Sequence, residues 1–66
     1  MNYQESIQKL KKGGLVNDFI KVFVEDMKTE FPTLTIEYAK KTFEELANGN
    51  EPTNVIAMFM KKSLES

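Results

Sequence analysis

One stretch constrains this chain more than any other, Leu15 to Phe31. Its apolar residues are Leu15, Val16, Phe19, Ile20, Val22, Phe23, Val24, Met27 and Phe31. On a helical wheel at about 100° per residue they fill an arc of roughly 200°. A surface helix needs a stripe only a little over ~100° wide, so a helix here must be covered on two sides. A strand is the competing reading, because Ile20, Val22 and Val24 are β-branched and Phe19 and Phe23 are aromatic. Length decides for the helix. Phe19, Phe23, Met27 and Phe31 form an i, i+4 ladder, and Glu25, Asp26, Lys28 and Glu30 are poor strand formers. The sequence therefore predicts an all-α fold: one domain over residues 1–66, a small irregular bundle of three to four short helices packed around a central helix at about residues 15–30.

The other segments are narrower or shorter. From Asn2 to Lys12, Tyr3, Ile7 and Leu10 place one apolar stripe on a polar rod. Glu5 in its first turn and Lys9, Lys11 and Lys12 in its last turns suit the helix dipole. Gly13-Gly14 ends it, one glycine taking the left-handed position and the other opening the next helix. Pro32 breaks the chain after Phe31, and Thr33 or Thr35 can cap the next helix. This third helix runs from about Thr35 to Ala47, with Ile36, Ala39, Phe43, Leu46 and Ala47 on one face and a Glu37–Lys41 pair outside. Asn48-Gly49 stops it. In the last helix Pro52 takes an early position, with Thr53 or Asn50 as cap. Val55, Ile56, Phe59, Met60 and Leu64 face inward there, with Ala57 at the margin and Met58 on the opposite side among Asn54, Lys61 and Lys62. The expected core is Ile7, Leu10, Val16, Phe19, Ile20, Phe23, Met27, Phe31, Ile36, Phe43, Leu46, Ile56, Phe59 and Met60.

A chain of 66 residues buries only about 60 % of the surface it exposes when unfolded. Small domains often compensate with a disulfide, a metal or a partner subunit. This chain has no cysteine and no histidine, which removes disulfides and zinc sites of the usual kind. Good helix packing or self-association remains, which raises the case for a homodimer. Nine basic residues, all lysine, stand against ten acidic ones. Neither a positive field nor an arginine is available for reading nucleic acid, so charge and composition both lower the case for DNA or RNA binding. No apolar run approaches the ~18 residues of a membrane span. Met1 to Glu5 lacks the layout of a signal peptide. The expectation is a cytoplasmic protein without membrane attachment. Abundant Asn, Lys and Glu with no Arg, His or Trp suggest an AT-rich bacterial or phage genome.

The side chains argue against catalysis. The usual general base and thiol nucleophile are missing. Ser6, Ser63 and Ser66 have no recognisable activating neighbour, and Lys11-Lys12-Gly13-Gly14-Leu15 lacks the spacing of a phosphate loop. No enzyme, cofactor or metal site is expected. Asp26 and Glu30, spaced i, i+4, project into the apolar arc of the central helix. They would meet a basic partner or a hard cation, or stand in solvent where the helix outruns the core. The central and last helices also carry more apolar surface than a small bundle must bury. That excess points to a protein-binding surface from Val24, Val55, Met58, Phe59 and Met60, joined by Asp26 and Glu30. The lysines at the two ends, Lys9, Lys11 and Lys12 and then Lys61 and Lys62, would merge into a basic patch if the ends were adjacent. The functional expectation is a non-enzymatic helical protein acting through protein–protein interaction, itself included as a partner. The alternative is a small DNA-binding or transcription-accessory protein. It would use residues 15–47 as a helix-turn-helix-like element, with Tyr38, Lys40 and Lys41 on the nucleic acid and Glu37, Glu44 and Glu45 opposing it.

Overall fold

Helix α1 (Tyr3–Gly13) starts where the sequence offers an acceptor: the Asn2 side-chain oxygen takes the Glu5 N–H at 3.0 Å. The computed structural model describes residues 2–65. At the other end of α1, Gly14 sits at φ +69°. Its N–H donates to the Lys11 carbonyl at 3.3 Å, and the Leu15 N–H donates to the Leu10 carbonyl at 2.9 Å. This pair of bonds is the Schellman closure, and it requires a left-handed residue that only glycine adopts cheaply. Gly13 is thus the last helical residue. The second helix, α2 (Val16–Met27), is opened by Leu15 with no side-chain cap, and not by a glycine.

Helix α2 ends four residues before Phe31. Pro32 pushes Phe31 out of helical angles, and the backbone turns twice instead. The Glu30 and Phe31 N–H groups both donate to the Met27 carbonyl, at 3.1 and 2.8 Å, and the Leu34 N–H donates to the Phe31 carbonyl at 3.0 Å. Of the two candidate caps for α3 (Ile36–Ala47), Thr35 takes the role, its hydroxyl accepting the Tyr38 N–H at 3.2 Å. The stop after α3 repeats the closure of α1. Gly49 lies at φ +86°, and its N–H and that of Asn50 donate to the Leu46 and Glu45 carbonyls, each at 3.0 Å. The last helix, α4 (Val55–Glu65), is capped by Asn54, which accepts the Ala57 N–H at 2.9 Å. Neither Thr53 nor Asn50 caps it, and Pro52 stays in the linker because the helix begins three residues later.

Helices α3 and α1 both pack on α2 and cover most of its wide arc, but Leu15 and Val22, at one edge of the arc, stay 49 % and 55 % exposed. Helix α3 touches all three other helices. It does so through a narrow buried face of Ala39, Thr42, Phe43 and Leu46. Aromatic rings join the layers. Phe19 of α2 lies 6.2 Å from Phe23 and 6.0 Å from Phe43, and Phe31 lies 5.7 Å from Phe59 of α4. Offset and tilted rings at such distances add to the burial they provide. The Gln4 amide donates to the Leu46 carbonyl at 3.0 Å, tying the first turn of α1 to the end of α3. Buried Thr42 returns its hydroxyl to the Tyr38 carbonyl at 3.0 Å. Among the described residues no buried side-chain polar atom lacks a partner.

Every residue of the expected core is buried or partly buried except Ile36, which is 48 % exposed. Ile36 is the first residue of α3, so no preceding turn stands over it. Leu34 takes that place. It is only 6 % exposed, although it lies in the connection. Leu34 and Ala39 flank the Thr35 cap as N′ and N4 and share one core cluster, the positions of a hydrophobic staple.

Candidate functional site

The end of the bundle where α2 hands over to α3 holds an apolar cleft. Leu34, turned in by its bond to Phe31, forms the floor. Phe31 rests against Phe59, the Thr35 cap presents Tyr38 on the first turn of α3, and Asn54 presents Ile56 on the first turn of α4. Phe31, Leu34, Tyr38 and Ile56, with Thr33 and Thr35, line a cleft of about 300 Å³. The Thr35 hydroxyl is already engaged as the cap. On either side along the chain, Ile36 and Val55 are 48 % and 54 % exposed, and Tyr38 is 44 % exposed. Ile36 and Val55 share a cause: each is the first residue of its helix. No charged side chain lines this cleft, and its polar side chains are those of Thr33, Thr35 and Tyr38. It offers apolar contact.

The residues expected to bind a partner divide. Val55 and Met58 are exposed, Met58 at 58 %. Met58 belongs to a separate groove with Glu51, Pro52, Lys61, Lys62 and Glu65. Phe59 is half-buried against Phe31. Val24 is a correction to the sequence reading, and Met60, offered both as core and as binding surface, is core. Val24 is 4 % exposed and part of the core, because α2 is packed from two directions, and Met60 is fully covered. Both side chains are covered within the chain. Asp26 and Glu30 are exposed. Glu30 lies beyond the end of α2, in the turn, so the i, i+4 geometry that would aim both at one ligand is not helical there. Among the described residues no group of three or more potential metal ligands gathers anywhere. Sequence reasoning missed Leu34 altogether and did not place Phe31, Tyr38 and Ile56 around one cleft. The signal available for Leu34 was its position immediately before a capping threonine.

The residues of the DNA-binding alternative are all exposed on α3 and line two different clefts. Tyr38 and Lys41 share a shallow cleft with Thr42, Glu45 and Asn54. Lys40 lines another, with Lys11, Asn17, Glu44 and Asn48. Helices α2 and α3 are joined by eight residues, 28–35, whereas the turn of a helix-turn-helix takes about three or four. Of the end lysines, Lys61 packs on the first turn of α1. The Lys61 ammonium stands 5.3 Å from the centre of the Tyr3 ring, whereas Lys11 lies about 12 Å further along α1 at 1.5 Å per residue.

No family model, no curated protein and no solved structure matches this chain. Among the described residues, no helix is long and apolar enough to cross a membrane.

Proposed function

We propose that this protein is a non-enzymatic interaction module that binds another protein through the apolar end of the bundle, with a second copy of the chain as the first partner to test. The observation that carries the reading is the exposure of Tyr38 in the cleft of Phe31, Leu34 and Ile56, with Ile36 and Val55 exposed next in sequence to the lining residues Thr35 and Ile56. Covering the exposed half of each such side chain is worth about 1 kcal/mol. That is a large increment for a chain whose total stability, at ~0.05–0.15 kcal/mol per residue, is about 3–10 kcal/mol. The uncharged lining and the absence of His and Cys from the chain support binding over catalysis.

Light scattering after size exclusion, from micromolar to millimolar concentration, tests self-association. The expected result is a mass that rises toward the dimer's with concentration in the native chain. The Ile36→Ser/Val55→Ser variant should remain monomeric with an unchanged helical spectrum, since both side chains are half-exposed at helix starts. A strict monomer throughout would overturn self-association. Affinity capture from the source cell, native chain against the same double variant, then tests the wider proposal. Equal capture of every partner by both would remove the apolar end as the binding surface.

A further inference from the structure

We draw no further inference here: the strongest candidate, the apolar cleft between the α2–α3 connection and the first turn of α4, belongs to the surface already proposed for partner binding, and nothing in the structure shows what covers it.

Discussion

Replacing Leu34 by alanine should destabilise the protein far more than replacing Ile36, although helical periodicity marks Ile36 and not Leu34 as core. Leu34 is 6 % exposed and Ile36 is 48 % exposed. Either substitution removes three carbons. At ~0.8 kcal/mol per buried carbon group, Leu34→Ala loses about 2.4 kcal/mol of burial. Leu34 lines an open cleft, so the space left behind joins the cleft and adds little cavity penalty. The total should therefore fall near the bottom of the ~2–5 kcal/mol range for such truncations. With ~4–8 °C per kcal/mol for a domain of this size, the midpoint should drop by roughly 10–20 °C. Ile36→Ala loses about half as much burial and recovers a few tenths of a kcal/mol, roughly 0.4, from the better helix propensity of alanine. Its net cost should stay below about 1 kcal/mol. Thermal melts followed by far-UV circular dichroism measure both, and equal urea slopes confirm that stability has changed without a change in the surface exposed on unfolding. If Ile36→Ala costs as much as Leu34→Ala, the staple geometry is wrong and the inward-facing residue at this end has been misassigned.

The two adjacent glycines should respond with opposite signs. Gly14→Ala should cost about 1 kcal/mol, because φ +69° is strained for any side chain even though the surrounding space is open. Gly13→Ala should stabilise by roughly 0.5 kcal/mol, since its new Cβ meets Leu15 at an ordinary 3.5 Å; the two urea midpoints moving the same way would contradict this. Asn54→Ala should lose about 1 kcal/mol with the cap of α4, and Thr53→Ala close to nothing. In a mobility-shift assay with mixed duplex DNA at low salt, no complex is expected. A shift that salt reverses and that Lys40→Ala/Lys41→Ala abolishes would restore the nucleic-acid reading.

The sequence alone was enough for the class of fold and for most of the core. Periodicity is a local property of the chain. It put Phe19, Ile20, Phe23 and Met27 on one face of α2, and Ala39, Phe43 and Leu46 on one face of α3, before any neighbour was known. Gly-Gly, Phe-Pro and Asn-Gly marked the breaks because glycine and proline act on the backbone whatever surrounds them. The arc of α2 also announced two covering helices, and α1 and α3 supply them except at Leu15 and Val22. What periodicity does not contain is where a helix starts and what packs on its second side. Ile36 and Val55 are exposed because each opens its helix, and Val24 is buried because α2 is packed from two directions. Met58 is exposed where periodicity already placed it, on the polar side of α4. The caps show the same division. Several residues could have opened α4, and Asn54 does so because the linker containing Pro52 delivers the chain to α4 only there. The cleft was the least legible feature. Phe31, Leu34, Tyr38 and Ile56 come from three segments, and only tertiary packing brings them together, because no local pattern along the chain encodes the distance between its separate turns.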